Sequence, residues 1–197
     1  MFSFSPKAPA QPDRRQQSRH LTILRVGTLI LQERRELCLV RNISAGGLMA
    51  HVYSIFRRDQ PVAAELKPGV VLPGRVSWTR ESNIGIAFAE PINVEEMLAA
   101  QSLDGGKHAR LPRVEADRLG TIHVGPRLYG VSTRDISQGG VKLDIDQPID
   151  AGTEVVLELD KFRPLPGTVR WCQGNVCGVS FAKLIPFDEL MRWLRSA

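Results

Sequence analysis

Residues 41–47 read RNISAGG and residues 134–140 read RDISQGG, so one short motif occurs twice at an offset of 93 residues (134 − 41). Three more pairs of segments keep this offset: RVGTL at 25–29 with RLGTI at 118–122, PGRVSW at 73–78 with PGTVRW at 166–171, and IGIAF at 84–88 with CGVSF at 177–181. A period of this length is too long for a solenoid repeat and suits a small independent fold. The chain is therefore predicted to be a duplicated domain.

Each copy of the repeat is predicted to be mainly β. Short apolar runs, bounded by Gly, Pro, Asn or Ser, follow one another at spacings near ten residues; in the first copy they are 21–30, 37–41, 47–52, 70–78 and 84–88. This spacing favours a small closed antiparallel barrel over a βαβ fold. Trp78, Trp171, Phe88 and Phe181 recur in register, and we assign them to the barrel cores.

Each barrel is predicted to end in a short helix. Asn93 can cap a helix over 94–100, and Asp188 can cap one over 189–195. A barrel with a helix over one end has a mouth where a ligand can bind. We predict a disordered segment at 1–12, a first unit at 13–101, a linker at 102–107 and a second unit at 108–197.

Composition argues for a soluble protein with an anionic partner. The 197 residues are 43% hydrophobic and 24% charged, with a net charge of +5, which is mild for a protein dedicated to duplex DNA. Positive charge is concentrated near the start, where only Asp13 opposes a basic series: Lys7, Arg14, Arg15, Arg19 and Arg25. Without a signal peptide or an apolar run long enough to span a membrane, we expect a cytoplasmic location.

Several classes of site are not indicated. The three cysteines (Cys38, Cys172 and Cys177) are an odd and sparse set, which argues against a disulfide framework. The four histidines are scattered, so no metal site and no cofactor is predicted. We find no nucleophile with a paired base, and we expect no enzymatic activity.

Two elements of the first unit carry the chemistry. The first is a basic arm containing Arg14, Arg15 and Arg19, and the second is the segment 42–47, in which Asn42 and Ser44 lie on one face of a strand and Gly47 follows. Arginine provides a fork for phosphate or for a guanine edge, and glycine lets a ligand approach the backbone. The alternatives are a solvated basic arm and a purely structural turn.

The spacing Arg-x-x-x-Arg followed by Asp/Asn-x-Ser-x-x-Gly resembles the PilZ domain, a bacterial receptor for cyclic di-GMP. The resemblance rests on Arg15 and Arg19, then Asn42, Ser44 and Gly47, and it extends over nearly the whole chain, twice. It implies a six-stranded antiparallel barrel with a flanking helix in each unit. It also implies that the two arginines hold phosphates and guanine faces, that Asn42 pairs with a guanine edge, and that Ser44 contacts polar groups of the ligand.

The second unit departs from this pattern. It keeps Asp135, Ser137 and Gly140, but its arm can be aligned with the first in two ways. With a two-residue slip, Arg110 takes the position of Arg19. Without a slip, Pro112 takes that position. One motif arginine is missing in both alignments, and Lys107 or Arg113 is expected to compensate for it only in part. We therefore predict a competent site in the first unit and a weak or silent one in the second, formed by Arg110, Arg113, Asp135, Ser137 and Gly140.

Three functions follow from these residues. The first is a cyclic di-GMP receptor whose arginine arm orders over the first barrel and relays the signal to an unidentified protein effector. The alternative is a degenerate PilZ pair that acts as a nucleotide-independent interaction module. A third candidate, a binder of single-stranded nucleic acid, is disfavoured here because the aromatic residues are assigned to the cores.

Overall fold

The computed structural model describes residues 22–32, 34–67, 69–99 and 111–196. They form two antiparallel barrels of six strands, each followed by a short helix, as predicted. In the first unit the strand order is β1-β2-β3-β6-β5-β4, and β1 pairs with β4 to close the barrel. The elements are β1 (Thr22–Leu31), β2 (Arg34–Ser44), β3 (Gly47–His51), β4 (Pro61–Lys67), β5 (Val70–Arg80), β6 (Asn83–Phe88) and α1 (Val94–Ala99).

The second unit repeats this barrel and adds one very short strand. Its order is β10-β13-β12-β11-β8-β9, closed by the pairing of β10 with β9, and β7 pairs with the other edge of β9. The elements are β7 (Val114–Glu115), β8 (Leu119–Val124), β9 (Arg127–Ser137), β10 (Gly140–Ile145), β11 (Glu154–Leu159), β12 (Leu165–Gln173), β13 (Val176–Phe181) and α2 (Phe187–Arg195).

The register of the two barrels settles how their first strands correspond. Thr22 pairs with Asn42 at the start of β1, and Glu115 pairs with Asp135 in β7, which is the same pair 93 residues later. A bulge after Thr22 interrupts β1 where the second unit has a break between β7 and β8. The register favours the alignment without a slip, which places Pro112 at the position of Arg19.

Alternation of inward and outward residues builds a core in each barrel. In β4, for example, Val62, Ala64 and Leu66 are buried while the residues between them are partly exposed. Phe88 and Phe181 pack against the cores of their own units, as predicted.

Trp78 and Trp171 are not core residues, which corrects our assignment. Their exposed fractions are 41% and 39%, and both indoles lie on the outer surface of their barrels. The cause is a β-bulge, since the pairing with the next strand shifts between Val76 and Trp78 and again between Val169 and Trp171. The extra residue turns each tryptophan outward, and simple alternation from the buried valine does not anticipate this.

The first helix cap follows the prediction and the second does not. The backbone N–H of Glu96 donates to Asn93 Oδ1 at 3.2 Å, so Asn93 caps α1. In α2 the N-cap is Pro186, whose carbonyl accepts from the N–H groups of Glu189 and Leu190. Asp188 therefore lies in the first turn, where its carboxylate faces the positive end of the helix dipole.

A disulfide joins Cys172 and Cys177, contrary to our expectation from the odd cysteine count. The two residues are directly opposite each other in the β12–β13 hairpin, with Cα atoms 4.1 Å apart, so strand register rather than sequence spacing brings them together. Cys38 is buried as a free thiol, and burial raises its pKa to about 12.

The two units contact each other through side chains that the repeat does not share. Leu37 of β2 is buried in the hydrophobic cluster of the second unit. The Tyr53 hydroxyl donates to Asp188 Oδ1 at 3.0 Å, and the Tyr53 ring meets Phe187 edge-on. Among the helices in the described ranges, none has the length and apolar character needed to cross a membrane.

Candidate ligand-binding site

The repeated motif forms the tight turn between the second and third strands of each barrel. Ser44 Oγ donates to the Gly47 carbonyl at 3.2 Å, and Ser137 Oγ donates to the Gly140 carbonyl at the same distance. The N–H of Gly139 donates in turn to Ser137 Oγ at 3.3 Å, and the Ser137 side chain is buried. Both serine hydroxyls therefore stabilise their own turns, as the structural interpretation of the motif predicts.

The motif glycines are required by the neighbouring strand. A Cβ at Gly140 would lie 2.5 Å from the carbonyl oxygen of Val179, and one at Gly47 would overlap the carbonyl oxygen of Ile86. Gly47 and Gly140 thus allow the third strand to pair closely with the sixth in each barrel. This packing by itself accounts for glycine at both positions.

On the outer face of the second barrel, four residues line up across four strands. Asp135 of β9 is paired with Lys142 of β10, Lys142 with Gly178 of β13, and Gly178 with Trp171 of β12. Partners across a sheet lie on the same face, and three strand spacings give a row about 14 Å long. We call these four residues the second-unit row. It presents a carboxylate, an ammonium group and an aromatic ring on one surface.

The tryptophan lies flat in this row because its neighbour has no side chain. A Cβ at Gly178 would come within 2.9 Å of Trp171 Cζ2 and would overlap Nε1 and Cε2 of the indole. The indole therefore covers the Gly178 backbone and leaves its other face toward solvent. Such a ring provides a platform on which a planar base can stack.

Two arginines flank the second-unit row. Arg113 Nη1 donates to Asp135 Oδ1 at 2.6 Å, which joins the segment before β7 to the motif aspartate of β9. Arg170 precedes Trp171, and its Nε donates to Ser180 Oγ at 2.7 Å. Both arginine residues are exposed, and each makes one side-chain hydrogen bond among the residues that the structure describes. With Lys142 they place three cations along the row.

Arg134, although part of the motif, is engaged elsewhere. Its Nε and Nη2 donate to the two carboxylate oxygens of Asp144 at 2.7 and 2.6 Å, a bidentate pair on the exposed surface of the β9–β10 hairpin. This hydrogen bonding is the main cause that lowers the pKa of the Asp144 carboxyl. Arg134 is therefore not one of the cations available at the row.

The row forms one wall of a cavity of about 610 Å³ between the two units. This volume lies within the usual range of small-molecule sites. The first unit closes the opposite side with Arg35, which donates to Glu65, and with Lys67. The lining from the second unit includes Arg113, Asp135, Lys142, Arg170, Trp171 and Ser180.

The first unit has an equivalent row with different chemistry. Asn42 is paired with Met49, Met49 with Gly85, and Gly85 with Trp78, whose indole covers Gly85 as in the second unit. Two of the three basic side chains are replaced by uncharged ones, however. At the offset of 93 residues, Met49 stands for Lys142, Ser77 for Arg170 and Ala87 for Ser180.

The structure groups only part of the predicted site. Arg14, Arg15, Arg19 and Arg110 lie outside the described residues. Asp135 and Arg113 meet directly, while Ser137 and Gly140 form the adjoining turn. Asn42, Ser44 and Gly47 occupy the same positions in the first barrel.

Sequence reasoning missed Lys142 and Arg170 and placed Trp171 in the core. A signal for the two cations was present, because each replaces an uncharged residue of the first unit at the same offset. No group of three or more potential metal ligands occurs within the described ranges.

Comparison with known proteins identifies two domains. The family model for the PilZ domain matches residues 13–103 and again residues 107–196. No curated protein matches the chain.

Solved structures similar to this chain include the Borreliella burgdorferi PlzA protein in complex with c-di-GMP, at 13% identity, with 86% of each chain covered and a TM-score of 0.38. The Bacillus subtilis inhibitor of motility (MotI/DgrA) is 12% identical over 88% of this chain and 96% of its own, with a TM-score of 0.37. YcgR in complex with c-di-GMP from Escherichia coli is 10% identical over 88% and 81%, with a TM-score of 0.33.

Proposed function

Since the chain belongs to the PilZ domain family in both of its units, we propose that it is a receptor for cyclic di-GMP and not an enzyme. The location of the proposed site rests on one observation. The second-unit row (Asp135, Lys142, Gly178 and Trp171) is flanked by two arginines and lines a cavity of about 610 Å³. Two of the solved structures similar to this chain, those of PlzA and YcgR, are complexes with c-di-GMP.

The residues of the second-unit row match the functional groups of this dinucleotide. Its two phosphates carry two negative charges, and Lys142 and Arg170 offer charge-assisted hydrogen bonds to them. The Asp135 carboxylate can accept from the N–H groups on the edge of a guanine, while the hydrogen bond from Arg113 orients it. Trp171 supplies the stacking surface for a base.

The first unit is proposed as a second site of a different kind. Its row offers Asn42 and the exposed Trp78, and its cations would have to come from the arm that contains Arg14, Arg15 and Arg19. The sequence predicts this site as the stronger of the two because the arm holds both motif arginines. The described residues favour the second unit, where the cations are part of the barrel wall.

Isothermal titration calorimetry on three proteins tests the function and ranks the sites. Wild type is compared with Arg15→Ala/Arg19→Ala and with Lys142→Met/Arg170→Ser, in which each new residue is the one found at that register in the other barrel. We expect saturable binding by wild type at micromolar ligand, and each double variant to lose one site. An absence of heat with tens of micromolar protein and excess ligand in moderate salt would reject the function.

One observation favours a second candidate function. Trp78 and Trp171 are exposed, so the argument against a binder of single-stranded nucleic acid no longer holds. An oligonucleotide would release counterions along its length, and its affinity would fall steeply with salt. Competition between cyclic di-GMP and a fluorescent oligonucleotide at two salt concentrations separates the two ligands. Tighter binding of the oligonucleotide, with no competition from the dinucleotide, would favour this candidate.

Signal relay to an effector is proposed to pass through the contact between the units. The cavity is lined from both barrels, so a ligand on the second-unit row also meets Arg35 and Lys67 of the first unit. Binding would then favour one relative placement of the barrels, and an effector would bind the surface that this placement creates. The alternative is an interaction module without nucleotide, and it gains some support from the serine hydroxyls that serve their own turns.

A further inference from the structure

The disulfide between Cys172 and Cys177 lies next to the proposed binding surface. Cys172 follows Trp171 in β12, and Cys177 precedes Gly178 in β13, so each cysteine adjoins a member of the second-unit row. The Cys177 side chain is fully buried in the barrel core, whereas Cys172 is partly exposed. The bond therefore joins the two strands from the inside at the level where the indole covers them from the outside.

The barrel fold does not require this bond. In the first unit the equivalent pair is Thr79 and Ile84, which are opposite each other in the β5–β6 hairpin in the same register. That hairpin forms the same bulge and the same packing of tryptophan on glycine without a crosslink. The loop that the disulfide closes is also short, with a sequence separation of 5, so it restricts the unfolded chain less than a longer loop would. A purely structural role is thus poorly supported.

We propose that Cys172 and Cys177 are a reversible dithiol–disulfide pair that tunes the second-unit site, an inference that rests on the proposed function. In the oxidised state the crosslink holds β12 and β13 in register beneath Trp171 and keeps the stacking surface preorganised. In the reduced state the end of this hairpin opens more readily, because only four residues, two of them in the turn, lie between the paired cysteines. The ligand then has to order this end of the hairpin on binding.

The reaction partner is a low-molecular-weight thiol. Its thiolate attacks the sulfur of Cys172, the accessible member of the pair, and Cys177 leaves as a thiolate that takes up a proton. A second thiolate attacks the sulfur of the small molecule in this mixed disulfide. Cys172 is released and protonated, and the two small thiols leave as their own disulfide. Two electrons have passed from the small thiols to the protein.

Thiol counting tests the chemical step. Alkylation of the denatured protein with a maleimide should add one label without reductant, from Cys38, and three after incubation with glutathione or dithiothreitol. In the folded reduced protein Cys38 remains unlabelled, since burial raises its pKa to about 12 and closes access. Three labels in air-oxidised protein, with no bond formed on adding glutathione disulfide, would overturn the proposal.

Hydrogen exchange and calorimetry test the consequence. Amides of residues 165–181 should exchange faster in the reduced state, while the matching hairpin at 72–88 serves as an internal reference that does not change. Affinity for cyclic di-GMP should fall about threefold to tenfold on reduction. The variant Cys172→Thr/Cys177→Ile, which carries the residues of the first unit, should bind equally with and without reductant.

Two results would contradict the inference: equal exchange at 165–181 in both redox states, or a response to reductant that the Thr/Ile variant retains. The exchange measurement needs no ligand, so it decides the inference by itself. A protein that binds no cyclic di-GMP in either state, yet shows the exchange difference, would reject the proposed function and leave the redox pair standing.

Discussion

Replacing Arg170 with serine removes one cation from the second-unit row with little effect on the fold. Ser77 occupies the same register in the first barrel, where its hydroxyl donates to the Gly85 carbonyl at 3.0 Å. A serine at 170 can make the same bond to Gly178. As a surface substitution that a sister barrel already contains, Arg170→Ser should change the free energy of unfolding by less than about 0.5 kcal/mol.

The effect on binding follows from the contact that is lost. A hydrogen bond to a charged group contributes about 1.5–3 kcal/mol, which corresponds to a factor of roughly ten to a hundred in the dissociation constant. Arg170 is exposed, so solvent and salt weaken its interaction with a phosphate. We therefore expect the lower end, about a tenfold weaker affinity of the second-unit site.

Calorimetric titrations at two salt concentrations measure this change. Wild type should lose affinity more steeply with salt than Arg170→Ser, because the variant has one cation fewer at the phosphates. The reciprocal variant, Ser77→Arg, is the control for added charge and should leave the second-unit site unchanged. Equal affinities of wild type and Arg170→Ser at low salt, with both proteins folded, would show that the second-unit row is not the binding surface.

Gly178→Ala should displace the indole of Trp171 and weaken binding by about 1–3 kcal/mol, the usual contribution of one stacked base, as calorimetry would show; unaltered affinity would contradict the stacking role. Leu37→Ala should cost about 2–5 kcal/mol in chemical denaturation, because Leu37 is buried against the second unit, and a cost below 1 kcal/mol would contradict that packing. Burial, and after it the hydrogen bond to Asp188, raises the pKa of Tyr53 to about 12, so this contact between the units should persist below pH 10 and be lost as the pH rises from 10 to 12. Absorbance of tyrosinate measures this titration, and Asp188→Ala should lower its midpoint. An unchanged midpoint would show that Asp188 does not contribute to the raised pKa of Tyr53.

The duplication and the barrel class were predictable because both depend on patterns that local sequence preserves. Segments that agree at one constant offset identify a repeat without reference to any structure, and turn residues at regular spacing mark short strands. The cap at Asn93 is likewise a local feature, decided by one side chain and the backbone three residues later.

The features that sequence reasoning missed depend on register between strands. Whether Trp171 points inward or outward depends on a bulge, and nothing in the tryptophan itself reveals it. The pairing of Cys172 with Cys177 requires knowing that the hairpin places them directly opposite each other. Lys142 was recoverable from the comparison of the two units, since Met49 stands at its position in the first barrel. Its place beside Asp135 was not, because that follows from pairing across the sheet.

The indole N–H resonances of the protein provide the most direct test of the central claim. The chain has three tryptophans. Trp78 and Trp171 lie on the outer faces of the first and second barrels, whereas Trp193 is buried and donates to the Asp160 carbonyl at 2.8 Å. Titration of ¹⁵N-labelled protein with cyclic di-GMP should shift the Trp171 resonance in a saturable manner and leave that of Trp193 in place. A shift of Trp78 would report binding at the first unit. A Trp171 resonance that stays fixed at saturating ligand would contradict the account.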